Sequence, residues 1–211
     1  MRNLFVGGSS EIAREIAKSI KNTDNLSRKS SRYYKKNFKV KDYSEISLKK
    51  ILKKIKKKYK NVLIFNGEYS NSFLSNFNEK IFVKALKVNL FTPLLVAKLA
   101  IDNDILEKNG SIFFISSIAS KNNQKGNAYY SISKKALELS AKILGEEQKL
   151  RKVRVNIINL GLVKNKMGLS TLKYLPKNKV EKAKFITKNK IVLSFKNILK
   201  KKINLKKINI V

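Results

Sequence analysis

The sequence predicts a doubly wound α/β domain, in which a parallel sheet of about seven strands is covered by helices on both faces. Short apolar segments of strand length alternate with longer segments in which apolar residues recur at helical spacing. The short segments are continuously apolar, as is typical of strands buried on both faces. The helical segments are long enough to form right-handed crossovers between parallel strands.

The first elements show this pattern clearly. Asn3–Val6 is a short apolar strand, and residues 11–21 are helical because Ile12, Ile16 and Ile20 recur four apart. Serines just before this helix can cap its N-terminus. The further elements are a weak strand at 25–27, a strand at 38–41, a helix at 44–59, a strand at 62–65, a long helix at 76–102, a strand at 111–115, a long helix at 127–150, a strand at 153–158, a helix near 188–201 and a strand near 203–211.

Length and composition fit a single domain that spans residues 1–211. A chain of 211 residues, of which 43% are hydrophobic, can bury its own core. The sequence contains no histidine and no cysteine, which excludes Ser-His-Asp and Cys-His nucleophilic sites and Cys/His zinc sites. We therefore expect no metal site. Because we find neither a signal peptide nor a possible disulfide, we expect a cytoplasmic protein.

The formal net charge of +34 allows two interpretations. Such a charge is typical of proteins that bind nucleic acid or an anionic membrane. It also follows from the lysine-rich composition that an AT-rich genome favours, and the lysines here are spread along the whole chain. The longest apolar stretch, 86–101, contains Lys87, Asn89 and Lys98 and is not a membrane span. We expect neither a specific nucleic-acid partner nor a membrane partner.

A glycine-containing turn, Gly7-Gly8-Ser9-Ser10, joins the first strand to the first helix. Glycine allows the backbone to turn sharply and to approach a phosphate closely. The helix N-terminus that follows supplies free N–H groups and the positive end of the helix dipole. The turn is therefore a candidate phosphate site, although the same residues are also compatible with an ordinary tight turn.

Tyr130 and Lys134 lie four residues apart at the start of a predicted helix, so both face the same side. A lysine ammonium one turn away favours the phenolate, and Tyr130 could then exchange a proton with a substrate oxygen near neutral pH. Ser117 ends the strand 13 residues before Tyr130 and could bond the same oxygen. Asn89 lies 28 residues before Ser117, within the long helix, where it could also be a satisfied polar residue.

Several motifs together resemble the short-chain dehydrogenase/reductase family. Its Asn–Ser–Tyr–Lys tetrad is matched by the spacing of Asn89, Ser117, Tyr130 and Lys134. The first turn is similar to its Thr-Gly-x-x-x-Gly-Ile-Gly fingerprint, with departures at Val6, Glu11 and Ala13. The segment 65–68 resembles its Asn-Asn-Ala-Gly segment, and 153–163 resembles its Ile-Arg-Val-Asn run, with Leu160 in place of proline.

The resemblance implies a Rossmann-type fold and an NAD(P)(H)-dependent oxidoreductase. Hydride would pass between the nicotinamide and a carbonyl or alcohol carbon, with Tyr130 as the proton donor and acceptor. Asn89 would order a water that links Lys134 to a proton relay. Asn165 and Met167 fall where the family contacts the carboxamide. The implied cofactor-binding residues are Gly7, Ser9, Ser10, Ile12, Arg28, Asp42, Asn66, Gly67, Tyr130, Lys134, Gly161 and Val163.

Arg28 bears on the choice of cofactor. It lies 21 residues after Gly7, where a carboxylate would hold the ribose 2′-hydroxyl of NAD and an arginine would accommodate the 2′-phosphate of NADP. Neither Ser27 nor Lys29 beside it is acidic. We therefore predict that NADP(H) is preferred over NAD(H), although Arg28 could also be an ordinary basic surface residue.

The segment 164–187 corresponds to the family's substrate lid and is shorter than usual. Its lysines suggest an anionic carbonyl or alcohol substrate, although composition alone explains them equally well: Lys164, Lys166, Lys173 and Lys177. By resemblance we expect a homodimer or homotetramer that pairs the long helices. The alternative function is a non-catalytic NADP(H)-binding sensor or scaffold, for which the altered glycine turn and the short lid would be suitable.

Overall fold

The computed structural model of the protein describes residues 1–122, 125–172, 177–181, 183–201 and 206–211. Seven parallel strands form one sheet in the order β3-β2-β1-β4-β5-β6-β7. The strands are β1 (Asn3–Val6), β2 (Thr23–Ser27), β3 (Asn37–Lys39), β4 (Tyr59–Ile64), β5 (Leu106–Ser117), β6 (Arg154–Leu160) and β7 (Lys207–Ile210). This doubly wound parallel sheet confirms the predicted fold class. The strand order reverses between β1 and β4, which opens a cleft at their carboxyl ends.

Helices cover both faces of the sheet. They are α1 (Glu11–Ser19), α2 (Glu45–Leu52), α3 (Glu79–Leu86), α4 (Thr92–Asp102), α5 (Ala128–Glu147), α6 (Lys166–Leu172), α7 (Lys177–Glu181) and α8 (Lys188–Lys200). Short 3-10 turns occupy Leu74–Asn76 and Ile118–Ser120, and a π-helical turn at Lys87–Phe91 joins α3 to α4. In the described part of the chain, no helix is both long and apolar enough to cross a bilayer.

Each central strand contributes to two cores because successive residues point to opposite faces. Phe5 packs with Phe195 of α8 in one cluster, which also contains residues of α1. Leu4 and Val6 belong to the other cluster, which contains residues of α2, α4 and α5. Complete burial of a side chain such as Phe195 contributes roughly 1.5–3 kcal/mol. The two cores thus hold the sheet in place, and the candidate site lies at the carboxyl ends of its strands.

The helix expected at 44–59 ends at Leu52. Tyr59 instead begins β4, where it is fully buried and donates a 2.8 Å hydrogen bond to Asp24 Oδ2. Its backbone N–H also pairs with Ile105. Strand pairing and burial of the tyrosine ring therefore override the helical spacing at the end of this segment.

The long helix expected at 76–102 begins later and is interrupted. Its first residue is Glu79, because the Asn78 side chain accepts a 3.0 Å hydrogen bond from Ile81 N and caps the helix there. The π-helical turn then inserts before α4, and Asn89 in that turn is fully buried. A buried amide within an apolar helix is the sequence feature that marks this interruption.

Candidate active site

Helix α5 places Tyr130 and Lys134 on one face above the end of β5. Lys134 is only 3% exposed, and its Nζ donates a 3.0 Å hydrogen bond to the carbonyl oxygen of Ile115. The same Nζ lies 5.8 Å from the centre of the Tyr130 ring. Burial lowers the pKa of Lys134 to about 8, and the nearby Glu138 carboxylate opposes that shift. The pKa of Lys134 therefore lies closer to neutral pH than that of an exposed lysine.

Ser117 is the last residue of β5 and faces Tyr130. Its Oγ accepts a 3.2 Å hydrogen bond from Ala119 N, which caps the short 3-10 turn that follows. Burial raises the pKa of Tyr130, whereas a hydrogen bond with the Ser117 hydroxyl lowers it and the neighbouring Tyr69 raises it further. The net direction is upward, opposite to the direction expected from the Lys134 charge alone, because desolvation of the phenolate is the largest contribution.

Asn89 is held by three hydrogen bonds in the π-helical turn. Its Oδ1 accepts from Glu68 N at 2.7 Å, and its Nδ2 donates to Glu68 O at 2.9 Å and to Ser133 Oγ at 3.0 Å. A Cβ built on Gly67 would lie 3.2 Å from Lys134 Nζ and 3.6 Å from Asn89 Oδ1. Lys134 and Asn89 therefore meet beside Gly67, and Ser117 and Lys134 both lie close to Tyr130. Both amide hydrogens of Asn89 are used, so its side chain has no further hydrogen to donate.

The glycine turn ends β1 at the other side of the cleft. Gly7 has φ +73°, a conformation that glycine adopts without strain, and its N–H donates to Leu26 O at 2.9 Å. Ser10 Oγ caps α1 by accepting from Ala13 N at 3.3 Å. A Cβ on Gly7 would lie 3.1 Å from the backbone nitrogen of Asn66. The predicted residues Gly7, Ser10 and Asn66 therefore meet where β1 and β4 run side by side.

Two further polar side chains lie near this turn. The buried Oδ1 of Asn66 has no hydrogen-bond partner among the described residues. Glu11, the departure that would repel a phosphate, directs its carboxylate towards Lys188 at the start of α8, with a separation of 3.8 Å. The neighbouring predicted residues Ser9 and Ile12 are half-buried, and Ile12 packs against the core.

Arg28 follows β2 at the outer rim of the cleft, where it is exposed. Its guanidinium lies 5.9 Å from the centre of the Tyr43 ring. Burial raises the pKa of Tyr43, and the Asn66 side chain, Arg28 and the Gly7 backbone oppose that shift because they lie close to the phenol. Tyr43 thus connects Arg28 to the glycine turn. Sequence reasoning missed Tyr43, although its position directly after Asp42 could have indicated it.

Asp42 lies on the exposed surface next to this rim. Its Oδ1 accepts hydrogen bonds from Ser44 N at 2.9 Å and from Ser44 Oγ at 2.5 Å. These hydrogen bonds lower the pKa of Asp42 to about 2. In this structure the carboxylate therefore orders the turn before α2.

Gly161 and Val163 follow β6 on the far side of the cleft. Gly161 N donates to Ile210 O at 2.9 Å, and Val163 pairs with Ile186 in an isolated bridge. Asn165 Oδ1 accepts a 2.8 Å hydrogen bond from Gly168 N at the start of α6. In the lid, Lys164, Lys166 and Lys177 are exposed, whereas Lys173 lies outside the described residues.

Tyr69 is a further residue at the site that sequence reasoning missed. Its ring meets the Tyr130 ring edge-on, with centroids 5.6 Å apart. The same segment is joined to the residues before α5, because Ser72 N donates to Gly126 O and Ala128 N donates to Ser72 O. The loop after β4 therefore forms a wall beside Tyr130. In the sequence, the position of Tyr69 shortly after the predicted residues Asn66 and Gly67 could have indicated that it lies at the site.

Comparison with known proteins shows the family of the chain. The family model described as short chain dehydrogenase matches residues 2–173. Dehydrogenase/reductase SDR family member 4 from Homo sapiens is 30% identical over 125 residues, which cover 58% of this chain and 44% of that protein. The 3-oxoacyl-[acyl-carrier-protein] reductase from Homo sapiens is 33% identical over 85 residues, 40% of this chain and 36% of that protein. These matches span less than half of each relative's own length.

Solved structures show the same fold over nearly the whole chain. A short chain dehydrogenase family protein from Francisella tularensis has a TM-score of 0.84 at 18% identity, covering 99% of this chain and 96% of that one. Actinorhodin polyketide ketoreductase with NADPH has a TM-score of 0.83 at 14% identity, covering 99% and 95%. With the family match over residues 2–173 and the tetrad residues gathered at one edge of the sheet, the chain belongs to the short-chain dehydrogenase family.

Proposed function

We propose that the protein is an NAD(P)(H)-dependent oxidoreductase that transfers hydride between the nicotinamide and a carbonyl or alcohol carbon. The observation that carries this proposal is that the Ser117 hydroxyl and Lys134 Nζ both lie close to Tyr130, while the missing side chain of Gly67 leaves Lys134 Nζ accessible. The Gly7 turn lies across the switch between β1 and β4, where doubly wound folds bind dinucleotides.

The residues present fit a nicotinamide dinucleotide. The N–H groups of the turn and of the first residues of α1 would hold the diphosphate, and the unpartnered Oδ1 of Asn66 can accept a further hydrogen bond. The missing side chain at Gly67 leaves the approach to Lys134 Nζ open for a ribose hydroxyl. When bound, the cofactor supplies or accepts the hydride.

The protein's own part of the chemistry is the proton. Tyr130 presents its hydroxyl beside that of Ser117, so that both can contact one substrate oxygen. As negative charge develops on the phenolic oxygen, the nearby Lys134 ammonium stabilises it. Tyr69 forms a wall beside this pair and orients the substrate. Asn89 fixes the backbone at Glu68 next to the lysine.

For the cofactor we propose NADP(H) in preference to NAD(H), on the position of Arg28 at the rim beside Tyr43. One related fold, actinorhodin polyketide ketoreductase, has a structure with NADPH. For the substrate we propose a small carbonyl or alcohol compound, with anionic groups favoured by the exposed Lys164 and Lys166. We also propose a homodimer or homotetramer, because helices α3 and α5 and the π-helical turn present large apolar side chains to the surface: Ile81, Val83, Phe91, Leu139 and Ile143.

The experiment is a carbonyl-compound screen that follows oxidation of NADPH, repeated with Tyr130→Phe. We expect this variant to lose turnover by about 10²-fold or more, while NADPH binding measured by fluorescence stays near that of the wild type. Tyr129→Phe is the matched control, because the Tyr129 hydroxyl accepts from Asn78 N and faces away from the proton pathway. Turnover of Tyr130→Phe equal to that of the control would overturn the proposal.

A further inference from the structure

A buried polar network lies directly behind the candidate site. Glu138 of α5 is only 3% exposed. Its Oε1 accepts hydrogen bonds from Ser116 Oγ, at 3.1 Å, and from Ser120 Oγ. Its Oε2 forms an ion pair with Lys207 Nζ, which reaches it from β7. A buried carboxylate needs such partners, and these lie at the end of β5, in the turn that follows it and at the start of β7.

The two serines flank Ser117. Ser116 precedes it in β5, and Ser120 ends the 3-10 turn that follows it. One carboxylate therefore holds both ends of the segment that carries the Ser117 hydroxyl. One turn earlier in α5, Lys134 holds Ile115 O on the same strand. Successive turns of α5 thus bind Ile115 and Ser116 at the end of β5 and Ser120 in the turn that follows, on both sides of Ser117, which faces Tyr130.

Glu138 is also the acidic group closest in sequence to Lys134 on this face of α5, one turn away. Burial lowers the pKa of Lys134, and the Glu138 carboxylate raises it. The other ionisable groups that face this region in the described chain are Tyr130 from α5, Tyr69 from the loop after β4, and Lys207 beyond Glu138. The Glu68 carboxylate is paired with Lys84 on the surface.

We propose that Glu138 is a positioning residue for the proposed oxidoreductase: it fixes Ser117 against Tyr130 through Ser116 and Ser120, and its charge stabilises the Lys134 ammonium. Lys207 partly balances that charge from β7. The inference rests on the proposed function for its catalytic meaning. The clamp on the Ser116–Ser120 segment and the charge coupling to Lys134 are properties of the chain itself.

Two charge-removing variants should shift the site in opposite directions. Glu138→Gln keeps the side-chain size and can still bond the serines, but it removes a negative charge, so Lys134 loses its proton at lower pH. Lys207→Gln leaves that negative charge less balanced, so Lys134 loses its proton at higher pH. A purely structural anchor would instead be weakened by both substitutions in the same way.

The test measures NADPH binding by fluorescence titration across the alkaline pH range. We expect the midpoint of the alkaline loss of binding to fall by about one pH unit in Glu138→Gln, a roughly tenfold change at fixed pH, and to rise in Lys207→Gln. Glu146→Gln, which removes an exposed carboxylate at the far end of α5, is the control and should match the wild type. Midpoints that do not move, or that move in the same direction in both variants, would overturn the charge coupling.

A second measurement does not depend on the cofactor. Hydrogen exchange, followed by mass spectrometry on the chain alone, should show faster exchange at residues 115–120 in a Ser116→Ala/Ser120→Ala double variant than in Glu146→Gln. Unchanged exchange there would refute the clamp. If the wild type binds neither NADPH nor NADH, the proposed function fails, whereas the exchange result still decides whether Glu138 holds the segment. If binding is normal and both readouts are unchanged, only the Glu138 inference fails.

Discussion

Lys134 Nζ donates a 3.0 Å hydrogen bond to Ile115 O, and this bond secures a nearly fully buried lysine to the central strand of the sheet. Its distance of 5.8 Å from the Tyr130 ring centre places a cation close to the proposed proton donor. Because burial disfavours the charged form, the ionisation of Lys134 is linked to the stability of the fold.

The first prediction concerns that linkage. The pKa of Lys134 is lowered from 10.5 to about 8 in the folded chain, so the unfolded chain binds the extra proton between these pH values. The free energy of unfolding of the wild type minus that of Lys134→Met should therefore rise as the pH increases from about 8 to about 10. Urea denaturation at a series of pH values measures it. For Lys135→Met, an exposed control, the same difference should stay flat; a flat result for Lys134→Met as well would show that its pKa is not depressed.

A second prediction concerns the cofactor phosphate. Replacing Arg28 with alanine should weaken NADPH binding about tenfold and leave NADH binding nearly unchanged, because only NADPH carries the 2′-phosphate that the guanidinium can bind. Fluorescence titrations with both nucleotides measure the ratio. Arg32→Ala, which removes an exposed arginine that stacks on Tyr33, should leave the ratio as in the wild type. Equal weakening for both nucleotides would remove Arg28 from cofactor selection.

A third prediction concerns the glycine turn. Gly7→Ala should reduce the free energy of unfolding by about 1–2 kcal/mol, because φ is +73° and the added Cβ would lie 3.1 Å from Asn66 N. Binding of NADPH should weaken by more than stability alone predicts, since the turn would shift away from the diphosphate. Chemical denaturation and titration at a temperature well below unfolding separate the two effects. Normal binding by a destabilised variant would mean that the turn serves the fold alone.

A fourth prediction concerns assembly. Leu139 and Ile143 of α5 are 61% and 51% exposed, and such side chains are expected to be covered when two copies pair. The double variant Leu139→Glu/Ile143→Glu should therefore sediment as a monomer at concentrations where the wild type forms dimers or tetramers. Leu193→Glu, at an equally exposed position on α8, is the control and should not change the sedimentation. A monomeric wild type would contradict the proposed assembly directly.

Much of this fold could be predicted because its signals are local. Buried strands explain the apolar segments around Phe5, Leu63 and Phe113. A helix explains the isoleucines near α1, which recur every four residues. The boundary at Tyr59 could not be predicted, because pairing with Leu106 of β5 and the hydrogen bond to Asp24 depend on residues far away in the chain. The π-helical turn could not be predicted for the same reason, because the Asn89 side chain forms hydrogen bonds with Glu68 and Ser133, which are distant in sequence.

The candidate site divides in the same way. The spacing of Ser117, Tyr130 and Lys134 could be found in the sequence because a strand end and a helical turn fix it. Tyr43, Tyr69 and Glu138 were not found, because each acquires its role through a neighbour distant in the chain or through burial, as in the contact between the Tyr69 and Tyr130 rings. The direction of the Tyr130 pKa depends on that burial as well.

The ion pair between Glu138 and Lys207 spans 69 residues of sequence. During synthesis, the first six strands can emerge from the ribosome and pair while Lys207 is still inside the exit tunnel, because chains fold from the N-terminal side as they grow. Until β7 adds to the sheet, the carboxylate behind Ser117 lacks its counter-charge. The charge environment behind Ser117 therefore depends on the addition of β7 to the sheet.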